Sequence, residues 1–382
     1  MLLKEISSVS SGQGAPQSKE DYCESGITFI KASDLDAIIE DQNEDRASKI
    51  TDEAFKRNKL CLFPKDTILF AKSGMSCLKN RVYVLKEASC VVNHLCCVSN
   101  VDERYDVNWI ALFLKHYNVT RFIKDNAYPS ISLKDVGSIV LPTIDKSLQK
   151  QIVESISIIQ KAIDLKRKQL EDLNELVKSK FQEMFGDVML PESKWEQTTF
   201  GKAFDICSGG TPSTSKKEYW EDGTIPWIGS NMCQDWIIYH NDGKFITQEG
   251  LTHSSAKLLE PGTVLVALVG ATIGKTALLR FRTTTNQNVA AIKVNDNTDY
   301  YPEFVFYLLQ GLYGKFMNYS NGKFAMATLS FVRDLPLIKP QKSLQGEFVD
   351  YVEKVNSLKG LCEREIVELN ELMDSKMDEY FG

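Results

Sequence analysis

The chain repeats itself at a fixed distance. The segment Lys-Ser-Leu-Gln at residues 146–149 returns 196 residues later at 342–345. Further matches at this distance are Leu165 with Leu361, residues 173–176 with 369–372, Ser179-Lys180 with Ser375-Lys376, and Phe185-Gly186 with Phe381-Gly382. A period this long exceeds that of solenoid repeats. The sequence therefore predicts two copies of a whole module.

Each copy ends in a segment with a heptad pattern. From Ile152 to Met184, positions mostly occupied by apolar residues recur in alternating steps of four and three, and the same spacing runs from Phe348 to Tyr380. Two lysines interrupt each run. This pattern predicts two long helices with a coiled-coil seam, with Gly186 and Gly382 as their C-terminal caps. About 36 residues at 1.5 Å per residue give a length of about 50–55 Å.

A helix of this kind must bury its seam. One alternative is a surface helix packed on its own module, but three to four heptads exceed what a small α/β module usually covers. We therefore expect the two helices to pair with each other. An antiparallel pairing would place one globular module at each end of a rod.

The segments before the two helices have matching patterns of short strands and one helix. The predicted elements are strands at 27–30, 67–70, 81–84 and 137–141 with a helix at 109–114, and strands at 225–228, 263–267 and 277–281 with a helix at 303–309. Each module thus has mixed α/β character, and its roughly 140–150 residues are enough for its own core.

Composition limits the class of protein. No apolar run reaches the roughly 18–20 residues that span a bilayer, so no membrane association is expected. Nine cysteines occur without CxxC spacing, which favours buried thiols in a reduced, cytoplasmic protein over disulfides or zinc. The net charge is −6, and residues 342–382 alone carry −5. DNA binding would therefore need local basic loops or a more basic partner.

One segment is similar to a phosphate-binding loop. Residues 270–276 read Gly-Ala-Thr-Ile-Gly-Lys-Thr, one residue short of the GxxxxGK[ST] pattern. The following residues predict a strand, and without a helix N-terminus the loop lacks the dipole that holds phosphates. We therefore expect a β-turn with an exposed lysine at 275, and at the matching Lys79. The four histidines lack ligand spacing, so no metal is expected, and His94 beside Cys96 and Cys97 is expected to lie in a core strand.

Polar, glycine-bearing loops recur at matching places in the two modules. Lysine and arginine suit guanine edges, asparagine and glutamine suit adenine edges, and backbone amides reach phosphates. Any one of these residues is more often part of an ordinary solvated turn, but their recurrence favours two DNA-reading heads. The candidates are Gln13, Gln17, Lys31, Lys72, Lys79, Arg81, Asn126 and Tyr128 in the first module, and Thr211, Ser213, Lys216, Asn231, Lys275, Arg280, Asn321 and Lys323 in the second.

The order of several motifs resembles the specificity subunit of type I restriction–modification systems, over essentially the whole chain. The matching segments of the second module are residues 209–213, 225–228, 259–266, 270–275 and 286–288. Weaker matches in the first are Ala15-Pro16, residues 29–31 and 64–69, Ser73-Gly74 and Asn93, and residues 141–142 with 149–153 resemble the entry to the family's spacer helix. The second copy reads Gln345-Gly346-Glu347 there, so its glutamine pair is incomplete.

The resemblance implies an α+β fold with an internal pseudo-twofold repeat, in which a long antiparallel two-helix coiled coil separates two target recognition domains. The predicted divisions are 1–145 and 187–341 for those domains, and 146–186 and 342–382 for the spacer helices. It also implies that each domain reads one half of a bipartite double-stranded DNA site while the helices fix the gap. Two methylation subunits would dock on the helices, at Ile159, Leu170, Leu173, Val355, Ile366 and Leu369.

The resemblance further implies that the chain is not itself an enzyme. S-adenosylmethionine, ATP and magnesium would be bound only by the methylation and restriction subunits. Two other hypotheses remain open from the residues alone: a coiled-coil adaptor with protein-binding α/β modules, and a nucleotide-hydrolysing enzyme that uses the loop at 270–276.

Overall fold

The computed structural model of the chain describes residues 1–189, 195–295, 297–319 and 326–382. These residues form two compact units that are discontinuous in sequence. Unit 1 contains Met1–Arg167 and Arg364–Gly382, and unit 2 contains Lys168–Glu363. Each unit therefore combines one globular module with a part of both C-terminal helical segments.

The first half of the chain carries many short elements before one long helix. Its helices are α1 Leu3–Ile6, α2 Leu35–Asp41, α3 Asp52–Arg57, α4 Val107–Tyr117, α5 Leu133–Gly137 and α6 Lys146–Phe185. Its strands are β1 Ser8–Ser11, β2 Tyr22–Cys23, β3 Ile27–Ile30, β4 Ser48–Ile50, β5 Ile68–Ala71, β6 Val82–Val84, β7 Cys90–Val91 and β8 Leu95–Ser99.

The second half has the same organisation. Its helices are α7 Phe200–Ala203, α8 Gln248–Thr252, α9 Pro302–Gly311, α10 Tyr313–Tyr319, α11 Leu329–Asp334 and α12 Lys342–Phe381. Its strands are β9 Gln197–Thr199, β10 Asp205–Ser208, β11 Ile225–Ile228, β12 Trp236–Ile238, β13 Phe245–Ile246, β14 Val264–Ala267, β15 Thr276–Leu279, β16 Thr284–Thr285, β17 Val289–Lys293 and β18 Pro336–Ile338.

One sheet order occurs in both units. In unit 1 the antiparallel sheet runs β1-β8-β5-β6, and β3 pairs in parallel with β7. In unit 2 the order β10-β17-β14-β15 repeats it, and β11 pairs in parallel with β16. Unit 2 adds β12 at the edge of the sheet. The duplication seen in the helices therefore extends through the modules, and the predicted α+β fold is confirmed.

The strand predicted at 137–141 is wrong. Residue 137 ends α5, and only Val140 forms a β-bridge, with Leu2. The buried Ile139 and Leu141 produce the strand-like alternation. The segment has only the short N-terminus as a partner, which is too little for a ladder. At the matching place in unit 2, β18 pairs with β9 over three residues.

The heptad seam is buried as predicted. In unit 1, Ile152 and Ile156 near the start of α6 join one core with Met377 near the end of α12. In unit 2, Phe181 near the end of α6 packs on Phe348 near the start of α12. The helices are therefore antiparallel in each unit. Pairing gives each seam the apolar partner surface that a single helix lacks.

Three of the four lysines that interrupt the seam form ion pairs. The Lys166 ammonium lies 2.6 Å from the Glu365 carboxylate of the partner helix. Lys180 and Lys376 each pair with a glutamate three residues later, at 3.0 and 2.6 Å. Burial lowers the pKa of Lys359 below its ordinary value. The alkyl stems of the three paired lysines can cover the seam while their ammonium groups reach the glutamates.

The cysteines are free thiols, and most of them are buried. Cys96 and Cys97 lie in the central strand β8, where burial raises the pKa of Cys97 to about 12. The predicted role of these two residues in the core is confirmed. His94, in contrast, is exposed and lies in the turn before β8. None of the helices in the described part of the chain is both long and apolar enough to span a bilayer.

Candidate nucleic-acid interface

Loops that are distant in sequence meet at one end of the main sheet of unit 1. The backbone amide of Lys72 donates to the carbonyl of His94 at 2.9 Å, and the amide of Ile131 donates to the carbonyl of Lys72 at 2.7 Å. The amide of Gly74 donates to the carbonyl of Pro129 at 3.1 Å. These bonds hold the loops after β5, before β8 and before α5 side by side.

The loop that follows β1 joins the same end of the sheet because it contains a glycine. A Cβ atom on Gly12 would lie 1.9 Å from the carbonyl oxygen of Val91, so no side chain fits there. Gly209 occupies the matching place in unit 2, where a Cβ atom would lie 2.0 Å from the backbone carbonyl oxygen of Thr285. Glycine at these two places therefore allows each loop to lie directly on a strand.

Unit 2 brings the equivalent loops together with the same bonds. The amide of Leu268 donates to the carbonyl of Asn288 at 2.8 Å, and the amide of Ala327 donates to the carbonyl of Leu268 at 2.7 Å. The Thr211 hydroxyl donates to the Gln287 side-chain oxygen at 2.7 Å. The structure therefore places residues 209–213 beside 286–288.

Four of the eight cations predicted to contact DNA are held in ion pairs. Lys79 lies 3.0 Å and Arg81 2.5 Å from the Asp36 carboxylate. In the second module Lys275 lies 2.6 Å from Asp235. The hydrogen bond from Lys79 holds the pKa of Asp36 below its ordinary value, and the bond to Asp235 raises the pKa of Lys275. The two lysines are equivalent in the repeat, and each forms an ion pair with an aspartate from another part of its module.

Other predicted contacts are also engaged within the chain. Gln13 accepts a hydrogen bond from the amide of Cys61 and donates to the carbonyl of Lys59. The further engagements are Gln17 with the Ala15 carbonyl, Lys31 over the Tyr22 ring, Ser213 with Ser215, Lys216 with the Tyr219 hydroxyl, Asn231 with Asp242, and Arg280 with Glu303. Such residues shape the loops and retain only part of their capacity for a ligand.

Three predicted residues of the first module remain available. Tyr128 is 83% exposed, Asn126 is exposed, and Lys72 has no ion pair with any described residue. His94 lies beside Lys72, and its Nδ1 is 2.8 Å from the Ser73 hydroxyl. Asn321 and Lys323 lie outside the described residues.

Sequence reasoning missed two kinds of residue at these surfaces. It placed His94 in the core because cysteines follow it, although the intervening turn exposes the ring. It also passed over the exposed Trp236 and Tyr239, which lie in and after the additional strand β12. The signal that could have found them is the absence of a matching strand in the first module.

The segment similar to a phosphate-binding loop is the hairpin between β14 and β15. The amide of Gly274 donates to the carbonyl of Ala267 at 2.9 Å, which closes the turn, and strand β15 follows directly. The predicted strand is confirmed. Lys275 is less exposed than expected because it pairs with Asp235. Within the described residues no group of three His, Cys, Asp or Glu side chains is placed to hold a metal ion.

The six helix residues predicted to dock partner subunits lie on the inner seam. Leu173 and Val355 are buried in the core of unit 2, and Leu170 packs against it. Ile159, Ile366 and Leu369 are half-buried. These residues are therefore engaged within the chain, and the outward-facing apolar residues are a different set.

That outer set forms what we call the leucine flank. Its members are Ile158, Leu165 and Leu372 in unit 1, and Leu176, Leu358 and Leu361 in unit 2. They are 44–68% exposed. With the seam at heptad positions a and d, these residues occupy positions c and g, which share one side of a helix. Each unit thus exposes apolar side chains along one side of its helix pair.

Comparison with known proteins identifies the family. The model described as "Type I restriction modification DNA specificity domain" matches residues 1–175 and 192–371. The chain belongs to this family. The two matches divide the chain as the internal repeat does, and each includes one module with most of its long helix.

Individual members of this family are similar to the chain over only part of its length. The chain is 30% identical over 158 residues to the specificity subunit of the EcoR124I/EcoR124II type I restriction enzyme of Escherichia coli, covering 40% of this chain and 38% of that protein. It is 31% identical over 118 residues to the MjaIX specificity subunit of Methanocaldococcus jannaschii, covering 30% of this chain and 26% of that protein. The chain thus spans less than half the length of either curated relative.

Solved structures share the fold over the whole chain. A chain from a study of complex assembly and conformational transition of the type I R-M system matches with a TM-score of 0.65 and 16% identity, covering 100% of this chain and 96% of that one. The type I restriction–modification S subunit from M. genitalium matches with a TM-score of 0.54 and 15% identity, covering 100% and 95%. These likenesses concern the fold alone.

Proposed function

We propose that this chain is the DNA-recognition subunit of a type I restriction–modification complex, in which each module reads one half of a bipartite site. The observation that carries the proposal is the double match of the specificity family, once to each module with its helix. A chain with two recognition modules can read two separate short sequences in one duplex.

In each module the reading surface is the loop end of the main sheet. Lys72, Asn126 and Tyr128 are the proposed direct contacts of the first module, because they are the predicted residues with free polar groups. Lys79, Arg81, Lys275 and Arg280 are proposed to act through their ion pairs, by holding the hairpins in shape. Asn321 and Lys323 remain predicted contacts of the second module. Lysines reach phosphates, and amides can pair with adenine.

The helices are proposed to set the gap between the half-sites and to dock the methylation subunits. The leucine flank supports the docking role, because rows of exposed leucines on a helix pair are typical of a surface that another protein covers. Such partners would also supply phosphate contacts, which contribute much of the affinity for DNA. With phosphate contacts from the partners, modules that lack a strongly positive net charge can still take part in DNA binding.

The chemistry is assigned to the partner subunits. Methylation with S-adenosylmethionine and ATP-driven translocation with magnesium would take place on the methylation and restriction subunits, and this chain would direct them to the site. The one loop here that is similar to a nucleotide site supports this division. Its lysine is committed to Asp235, and a strand follows it instead of a helix.

Methylome sequencing tests the proposal directly. The genomic methylation of the host is sequenced with and without the gene for this chain. In a second experiment, this chain and its methylation subunit are expressed together in a strain that lacks DNA methylation. The expected result is the loss and recovery of one split adenine-methylation motif. An unchanged set of methylated motifs would contradict the proposal. Association with the partner proteins without sequence-specific DNA retention would favour the adaptor hypothesis.

A further inference from the structure

The repeated segment Lys-Ser-Leu-Gln begins both long helices, and its glutamine is completely buried. Gln149 and Gln345 each have 0% exposure. A buried amide is costly unless both its oxygen and its nitrogen find hydrogen-bond partners. The partners of these two side chains therefore indicate why the segment occurs twice.

In unit 1 the partners lie at the start of the module helix α4. The side-chain oxygen of Gln149 accepts from the amide of Asp106, the N-cap residue of α4, at 2.7 Å. Its side-chain nitrogen donates to the carbonyl of Ile144 at 3.0 Å. The Lys146 ammonium donates to the carbonyl of Glu103. Both ends of the repeated segment thus hold the chain that enters α4.

Unit 2 repeats these bonds. The side-chain oxygen of Gln345 accepts from the amide of Tyr301, the N-cap residue of α9, at 3.1 Å. Its nitrogen donates to the carbonyls of Asp299 and Pro340, each at 3.0 Å. The Lys342 ammonium donates to the carbonyl of Thr298 at 3.1 Å. In both copies, the lysine and the glutamine of the repeated segment therefore bind the backbone that leads into the module helix.

The module helices connect these bonds to the loop surfaces. At the far end of α4, the carbonyl of Lys115 accepts from the Asn80 side chain in the hairpin that carries Lys79. In unit 2 the Lys275 ammonium in the β14–β15 hairpin lies over the ring of Tyr313, just after the end of α9, at 5.1 Å from the ring centroid. Each long helix is thus joined to its hairpin through one short helix.

We propose that Gln149 and Gln345, with Lys146 and Lys342, are positioning residues that fix the orientation of each recognition module on its long helix. This inference rests on the proposed function, because its consequence is the gap that the complex accepts between half-sites. A module free to tilt would place its loops over more than one base pair. Leucine could fill the volume of glutamine but would leave the amide of Asp106 or Tyr301 without its partner.

The test uses the full chain co-expressed with its methylation subunit. Sites with the cognate half-sites and gaps altered by single base pairs are placed on plasmids, and methylation at each gap is measured. Gln149→Leu and Gln345→Leu are compared with Gln151→Leu, the same change at an exposed position two residues along α6. We expect preference for the cognate gap to fall about tenfold in the first two variants and to stay unchanged in the third.

Two further measurements separate positioning from simple loss of folding. Hydrogen exchange of the amides of Asp106 and Tyr301 should accelerate in the corresponding glutamine variant while that of the sheet strands stays slow. Lys146→Met and Lys342→Met remove one bond each and should relax the gap preference in the same direction, to a smaller extent. An unchanged gap profile in folded glutamine variants overturns the inference alone. Failure of the wild-type complex to methylate any split site overturns the proposed function and the inference with it.

Discussion

The ring of Phe181 meets the ring of Phe348 edge to face, with their centroids 5.3 Å apart and an angle of 77° between the rings. Both side chains are buried. This contact joins α6 to α12 in unit 2, next to the module helix α9, whose Phe304 ring lies 5.7 Å from Phe181. These three phenylalanine rings therefore pack the helix pair against the module.

Truncation of this contact should destabilise unit 2. We expect Phe348→Ala to lower the free energy of unfolding by about 3–5 kcal/mol, because it removes a buried ring and leaves a cavity. Chemical denaturation followed by circular dichroism measures the change. Leu358→Ala on the exposed leucine flank is the control and should cost no more than about 0.5 kcal/mol. Equal losses from the two variants would contradict the buried position of Phe348.

Lys72 and Tyr128 should contribute to DNA affinity without contributing to stability. Lys72→Ala should reduce the slope of the logarithm of the binding constant against the logarithm of salt concentration by about 1, as expected for the loss of one phosphate contact. Tyr128→Ala should weaken binding of the cognate site more than that of random DNA. Fluorescence anisotropy at several salt concentrations with the assembled complex measures both. Lys65→Ala, an exposed lysine before β5 at the opposite end of that strand, should have no effect.

Asp36 should restrain the cations beside it. Asp36→Asn frees Lys79 and Arg81, so we expect stronger binding to non-specific DNA at neutral pH. The folded pKa of Asp36 lies below its ordinary value of 3.8. Its ion pairs are therefore complete above about pH 4 and are lost as the pH falls through the lowered pKa. The difference between variant and wild type should disappear in that acidic range. A difference that persists there would refute the role of the carboxylate.

The leucine flank should be needed for association with the methylation subunits. Leu165→Glu and Leu361→Glu, at matching places in the repeat, should each weaken assembly at least about tenfold, since a charge at a buried contact is strongly unfavourable. Analytical ultracentrifugation or co-purification measures assembly. Val367→Glu is the control, because Val367 is also exposed but lies at heptad position b on the other side of α12. Normal assembly of both flank variants would place the docking surface elsewhere.

The length of the helix pair should set the gap. Removal of one heptad from each helix, residues 160–166 and 364–370, preserves the seam and shortens each helix by about 10 Å. This length corresponds to about three base pairs of DNA at 3.4 Å per step. We expect the preferred gap to shift by about that amount, or binding to be lost if the modules no longer face the same side of the duplex. Recognition of the original gap after the deletion would show that the length of the helices does not set the gap.

The fold was largely predictable because its strongest signals are local. Heptad spacing reports which side of a helix is apolar, and the pattern from Ile152 to Met184 correctly indicated the buried seam. The strand predicted at 137–141 shows the limit of this reasoning. Alternating burial of Ile139 and Leu141 resembles a strand, but a ladder also needs a partner strand, which no local pattern reveals.

The candidate interface was predictable only as loops. The sequence by itself determined the duplication, the paired helices and the recurrence of polar turns, since period and spacing are properties of neighbouring residues. Only the tertiary structure decided which side chains in those turns remain free. Lys79 is neutralised by Asp36, 43 residues earlier in the chain, while Lys72 is left without an ion pair in the described structure. The buried roles of Gln149 and Gln345 also depend on backbone groups more than 40 residues away. Such partners meet only when the chain folds, so their effect on charge and position is absent from the sequence pattern.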